Sequence, residues 1–277
     1  MSDSRAPFRR VSVRRVGRGG AGQGEDFAAT EEPLEVRLHG RPFAVIMRTP
    51  GADRELAAGF LLSESIIQSL DDLGAVEHCR HPDHPEVHNI VDVFLVGEAA
   101  QRLDEHLEQR RNILTSSSCG LCGRVTIDSL RLCASALAIG DQMTSAVAAE
   151  LPQTLRERQA VFDETGGLHA AALFTLEGDC EGSAEDVGRH NAVDKVIGAM
   201  VLDGRTPLGN RALLVSGRAS FEIVQKAWLA GVPIVCAVSA PSSLAIELAQ
   251  EAGITLLGFV RNGGFNLYTH AQRIEGV

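Results

Sequence analysis

Between residues 212 and 264 the chain repeats one pattern of apolar strand, small-residue loop and amphipathic helix. The strands are ALLVS (212–216), PIVCAVS (233–239) and TLLGFV (255–260), and the helices are FEIVQKAWLA and LAIELAQEAG. Strands that alternate with helices pair in parallel through right-handed crossovers, so the pattern predicts an α/β fold. In such a sheet every loop that follows a strand lies on one edge, the edge where open α/β sheets bind ligands. Three loops should therefore converge there. They carry Ser216, Gly217, Arg218, Ala219 and Ser220, then Ser239, Ala240, Pro241, Ser242 and Ser243, then Arg261, Asn262, Gly263 and Gly264. Two of them open a helix, whose free N–H groups favour anions. Arg218 and Arg261 can fork onto phosphate. The convergence points to an anionic, nucleotide-like ligand, against the plainer reading of ordinary turns.

The chain has 277 residues, 44% of them hydrophobic, which is enough to bury a core without disulfides. No apolar run reaches the length of a membrane helix, and the N-terminus lacks a secretory pattern, so no membrane is expected. A reducing setting is expected, in which the six cysteines do not form a disulfide framework. Residues 1–24 hold six Arg and one Asp, a charge of +5, which leaves −15 on the remainder of a chain whose net charge is −10. An acidic body argues against nucleic-acid binding. Residues 1–30 read as a flexible basic leader, and the G-x-G-x-x-G match within GRGGAGQG reads as a linker because no helix follows it. Lys195 and Lys226 are the chain's two lysines, against 24 Arg, a codon bias unless a site claims them.

LEVRL (34–38), the turn His39-Gly40-Arg41-Pro42 and FAVIM predict a β-hairpin. Asp53 is the candidate N-cap of a helix bearing Leu56, Phe60 and Leu61. VHNIVDVFLV (87–96) reads as a strand and LDEHLEQRRN (103–112) as a short polar helix. Together they give a small α/β roll over 31–112, followed by a second domain over 113–277. In that domain GLHAAALFTLEG reads as a strand and EDVGRHNAVDKVIGAMVLDG as a helix.

SSSCGLCG places Cys119 and Cys122 in a polar, glycine-bearing segment, ahead of a helix that begins with CGRVTIDSLRL. Cys133 and Cys236 lie in apolar runs and read as core. The C-x-x-C pair admits several chemistries. A structural zinc site needs a second half-site, and none is present. A thioredoxin-type pair needs a surrounding βαβ unit. A zinc deaminase would use His84-Pro85-Glu86 as its H-x-E, with 32 residues between Glu86 and Cys119, but Ser118 replaces the usual proline. A sulfur carrier needs a nucleophilic thiolate, which a helix N-terminus and Arg124 would favour. Two ordinary surface cysteines are the bland alternative. The tract His78, Cys79, His81, His84, His88 reads as a solvated loop in preference to a metal site. His169 and His190, each near a glycine turn, could bind phosphate or cap local backbone, and Asp194 and Lys195 read as a helix-surface ion pair.

SSSCGLCG, TGGLHAAALF, EDVGRHNAVDKVIG, SGRASFEIVQKAWLAGVPIVCAVSAPSSLAIELA and GFVRNGGFNLYTH, in that order from about Glu32 to His270, resemble the FdhD/NarQ family of formate dehydrogenase accessory sulfurtransferases. The resemblance implies a cytoplasmic homodimer whose C-terminal domain is a cytidine-deaminase-like three-layer αβα unit with no permanently bound metal. It implies that a cysteine desulfurase loads a persulfide onto Cys119. The sulfur then passes to the molybdenum (or tungsten) bis(guanine dinucleotide) cofactor destined for formate dehydrogenase. Cys122 matches the second cysteine of the family pair. Phe259, Val260, Arg261, Asn262, Gly263 and Gly264 match its cofactor-binding stretch, beside which Ser216, Arg218, Ser239, Ser242, His169 and His190 stand as further candidates. The rival functions are a zinc-dependent deaminase and a non-catalytic cofactor chaperone.

Overall fold

The computed structural model describes residues 6–17, 20–79, 89–105, 107–108, 135–140 and 142–277. In chain order the elements are β1 (Phe8–Gly17), β2 (Gly20–Ala29), β3 (Glu32–Leu38), β4 (Arg41–Arg48), α1 (Asp53–Ser63), β5 (Leu73–Cys79), β6 (Ile90–Leu95) and α2 (Gly97–Gln101). They continue with β7 (Met143–Thr144), α3 (Ser145–Arg156), α4 (Ala160–Thr165), β8 (His169–Thr175), β9 (Cys180–Asp186), α5 (Arg189–Leu202) and β10 (Arg211–Val215). The last are α6 (Phe221–Leu229), β11 (Ile234–Ala237), α7 (Ser243–Ala252), β12 (Thr255–Arg261), β13 (Gly264–Thr269) and β14 (Ile274–Glu275).

The expected parallel core is present: β10 pairs in parallel with β11, and β11 with β12. Three antiparallel strands extend it into a mixed six-stranded sheet ordered β13-β12-β11-β10-β8-β9. Alternation along each strand sends side chains to two separate cores. Ala171, Leu173, Leu213, Val215, Val235 and Ala237 face one core, with α5, α6 and α7. Ala170, Ala172, Phe174, Ala212, Leu214, Ile234 and Cys236 face the other, with Ala148, Leu151 and Leu155 of α3. The sheet is therefore covered by helices on both faces.

The predicted hairpin is β3–β4, and β6 joins it in parallel beside β3 to build a second sheet ordered β4-β3-β6-β5. Its inner face, with Leu34, Val36, Leu38, Val91 and Val93, lies on α1. The two sheets share one continuous core, because α1 lies directly on α5. A Cβ on Gly59 would stand 1.9 Å from the carbonyl oxygen of Asp194, and one on Gly198 would stand 1.8 Å from that of Glu55. The helices cross backbone to backbone, which only glycine permits. The expected boundary near residue 112 falls outside the described residues.

Three local expectations are corrected. The leader is not unstructured: β1 and β2 form an antiparallel ribbon in register from Phe8–Ala29 to Gly17–Gly20. Its ladder satisfies the backbone, the rings of Phe8 and Phe27 meet edge to face at 5.4 Å, and Arg10 pairs with Glu25 at 3.0 Å. The glycine run supplies strand β2 rather than a linker. Asp53 does not cap α1. Ala52 holds the N-cap position, and Asp53 instead makes a two-pronged pair with the buried Arg48 at 2.8 and 2.9 Å. Asp194 and Lys195 are buried and do not pair with each other. Successive helix residues point in different directions, so each reaches its own partner. Lys195 Nζ lies 2.8 Å from Asp186, and Lys226 Nζ lies 2.8 Å from both oxygens of Asp194. Both lysines of the chain are thus claimed by structure.

Gly198→Ala should cost about 3 kcal/mol or more, since its new methyl meets backbone that cannot rotate away. Calorimetry should find a melting temperature lower by about 6–12 °C. A melt within a degree of the parent would show that the helices do not cross this closely.

Candidate functional site

The mixed sheet gathers more at its carboxyl edge than parallel strands alone would. β8 runs against β10, so its first residue, His169, lies at that edge beside the end of β10. β9 runs against β8, pairs Asp186 with His169, and delivers the chain to the start of α5. β13 begins at the same edge. His169, Arg189 and His190 therefore join the three loops that follow β10, β11 and β12.

Backbone hydrogen bonds tie those loops together. Ser239 N donates to Gly217 O at 3.2 Å, Phe259 N to Ser239 O at 3.1 Å, and Ser242 N to Ala219 O at 3.0 Å. Several candidate serines are occupied by this framework. Ser216 Oγ accepts from Ala170 N at 2.9 Å, and Ser242 Oγ caps α7 by accepting from Ala245 N at 3.2 Å. Arg218 is exposed. Val260 is fully buried in the α3-side core, so its side chain cannot line a surface site. Asn262 and Gly263, with φ of 54° and 74°, form the turn between β12 and β13, which suits asparagine and glycine.

Phe259 departs most from ordinary geometry. It sits at a register break between Gly258 and Arg261 with φ of 53°, a conformation that bulky residues rarely adopt. Bulges of this kind re-aim side chains beside functional sites. Here Phe259 and Arg261 come together, with the guanidinium carbon 5.3 Å from the ring centre. The pair presents an aromatic face and a cation, suited to a base and a phosphate respectively.

The second group lies at the starts of α5 and α6. His190 Nε2 is 2.7 Å from Glu222 Oε2 and 3.3 Å from Ser220 Oγ. The His190 hydrogen bond holds the Glu222 carboxyl below the usual carboxylate range, against the opposing effect of burial. Burial pushes the His169 imidazole below its ordinary range, and the charges of Arg189 and His190 add to this. His169 is neutral at pH 7 as a result. Ser220 occupies the N-cap of α6 but makes no capping bond, and α5 likewise has no side-chain cap. Arg189 Nε is buried without a partner among the described residues. Sequence reasoning missed Arg189 and Glu222, and named Ser220 only as a member of its loop. Arg189 adjoins a candidate histidine, but Glu222 is 32 residues from His190, and no local pattern announces the pair.

A clamp fixes the start of α5 in place. Asp186, fully buried, accepts from Thr49 N, Gly188 N, Asn191 Nδ2 and Lys195 Nζ. Thr49 Oγ1 accepts from Val187 N, and Thr49 O accepts from Lys195 Nζ. The loop after β4 is thereby tied to the loop that carries Arg189 and His190.

Cys119, Cys122, Cys133 and His84 lie outside the described residues, as does the helix expected after the cysteine pair. His78 and Cys79 end β5, while the rest of the histidine tract falls outside. No group of three metal-ligating side chains occurs among the described residues. Of the described cysteines, Cys236 is buried and its thiol is pushed up to about 12 by desolvation. Burial, with Asp92 beside it, also raises the Cys79 thiol. Neither has the depressed thiol of a nucleophile. No described helix is long and apolar enough to cross a membrane.

Residues 29–275 match the FdhD/NarQ family model. The chain belongs to the FdhD/NarQ family. It is 48% identical to the sulfur carrier protein FdhD of Streptomyces avermitilis, covering 96% of this chain and 95% of that protein. The same protein of Anaeromyxobacter dehalogenans strain 2CP-C is 49% identical over 97% of this chain and 95% of its own length. A crystal structure described as that of a formate dehydrogenase accessory protein from Desulfotalea psychrophila superposes with a TM-score of 0.76 at 24% identity. It spans 97% of this chain and 100% of that one. That likeness establishes that this FdhD/NarQ chain shares its fold.

Brief treatment of this FdhD/NarQ protein with iodoacetamide at pH 7 should leave Cys236 unmodified, as read by peptide mass spectrometry. Early labelling of Cys236 would contradict its burial.

Proposed function

We propose that the protein is a sulfur carrier for formate dehydrogenase maturation. The supporting observation is its near-full-length similarity to sulfur carrier proteins FdhD at 48–49% identity. The C-x-x-C pair supplies the chemistry. The Cys119 thiolate attacks the terminal sulfur of a cysteine desulfurase persulfide. The donor S–S bond breaks, the desulfurase leaves as a thiolate, and Cys119 keeps the sulfur as its own persulfide. No external oxidant is required. When that sulfur moves to an acceptor, Cys119 returns as a thiolate, with Cys122 as its neighbour in the pair.

The acceptor we propose is the molybdenum bis(guanine dinucleotide) cofactor, bound as substrate at the carboxyl edge. Phe259 offers a stacking face, Arg261 and Arg218 offer cations, and the turn Asn262-Gly263-Gly264 offers backbone N–H groups. The uncapped first turns of α5 and α6, with His169 and His190 beside them, extend the anion-favouring surface. The protein acts in the cytoplasm as a homodimer and holds no resident metal.

Incubation with a cysteine desulfurase and cysteine should add one sulfur to the intact mass, removable by reductant, and Cys119→Ala should abolish both that gain and formate dehydrogenase activity. An unmodified mass with intact maturation would favour a chaperone with incidental cysteines, and stoichiometric zinc on the pair would favour a deaminase. For the acceptor site, Arg261→Ala should weaken GDP binding about fivefold, the value of one exposed phosphate contact. Unchanged affinity by calorimetry would place the phosphate elsewhere.

A further inference from the structure

Glu222 is an unexpected residue to find at a site read as binding a polyanion. It stands in the first turn of α6, at the edge where the three loops converge, and its carboxylate is one-third exposed. Alone, it would repel the ligand. It is not alone, because His190 Nε2 lies 2.7 Å from Oε2. Arg189 and Lys226 also attract it at longer range, but neither forms an ion pair with it among the described residues. Lys226, one turn further along α6, is held by both oxygens of Asp194. Arg189, on α5, makes no ion pair with Glu222 among the described residues. His169, on β8, is neutral at pH 7 for the reasons given above.

We infer that the Glu222–His190 pair is a charge switch that sets how tightly this edge holds its anionic cargo. With the imidazole protonated, the pair is neutral and the cations and helix N-termini around it act unopposed. With the imidazole deprotonated, the pair carries one negative charge and pushes the cargo away. The sequence of effects has one proton as its only currency. Loss of that proton lowers the affinity. A carrier must release what it binds, and this arrangement builds the release into the binding edge. The inference rests on the anion site proposed above and deepens it.

The same geometry predicts a gain of affinity on substitution, which a merely structural role for Glu222 would not produce. Glu222→Gln removes the negative charge in both protonation states. Calorimetry with GDP as the probe, from pH 5.5 to 8.5, should show wild-type affinity falling with pH. The Gln variant should bind about two- to fivefold more tightly at pH 8, as expected for one partly exposed charge. His190→Gln should lose the pH dependence in this range. Thermal melts establish that both variants are folded. If the wild type binds GDP while Glu222→Gln binds equally or less tightly at pH 8, the switch is overturned and the anion site stands. If the wild type takes up no GDP at any pH, the anion site fails and the switch fails with it.

Discussion

The crossing of α1 and α5 is the constraint on which the remainder of the molecule depends. Gly59 and Gly198 let the two backbones touch, and no side chain separates them. Close approach on this scale leaves no room for water, so every polar group caught near the crossing has to find a partner. That requirement explains the two buried ion pairs, Lys195 with Asp186 and Lys226 with Asp194. Ser63 Oγ completes the second by donating to Asp194 at 2.8 Å. Replacing either partner alone would strand a buried charge at a cost of about 3–5 kcal/mol. The pairs serve less as a source of stability than as a device that admits only one docking of the two sheets.

The candidate site inherits its geometry from this docking. α5 is fixed along its length by α1, and at its start by the hydrogen bonds that bind Asp186 to Thr49. Arg189 and His190 follow within four residues of that anchor. Their position relative to the loops after β10 and β11 is therefore set by the N-terminal sheet as much as by the sheet they border. A change near Thr49, well away from any proposed ligand contact, would be felt at His190 through the hydrogen bonds that Thr49 and Asp186 make to the start of α5.

The parallel core was readable because its periodicity is strong: strand, loop and helix recur three times, and the β3–β4 hairpin announces itself by alternation. What escaped reading depended on partners distant in sequence. Asp53 looks like a helix cap because the competing Arg48 guanidinium is invisible in a one-dimensional pattern. Asp194 and Lys195 look like a surface pair because adjacency suggests it, whereas a helix turns them to different neighbours. The basic leader looked disordered because glycine is scarce in strands, yet a long ladder with edge-to-face rings supplied enough pairing to order it. At the site, sequence located the loops and both histidines. It could not distinguish Ser216 and Ser242, whose hydroxyls serve the framework, from Arg218 and Arg261, which remain available. Nor could it show that Val260 points inward while Phe259 is turned outward by a bulge.

The ion-pairing of Lys195 and Lys226 has a practical side. A chain with 24 arginines ties both of its lysines into ion pairs, Lys195 buried and Lys226 12% exposed, so its surface is rich in guanidinium and poor in side-chain amines. Acetylation, ubiquitin-type conjugation and amine-directed crosslinkers act mainly on accessible ε-amines. On the folded protein they would find only the partly exposed, ion-paired Lys226, so a crosslinking map of its complexes is better built on carboxylate, thiol or photoreactive chemistry.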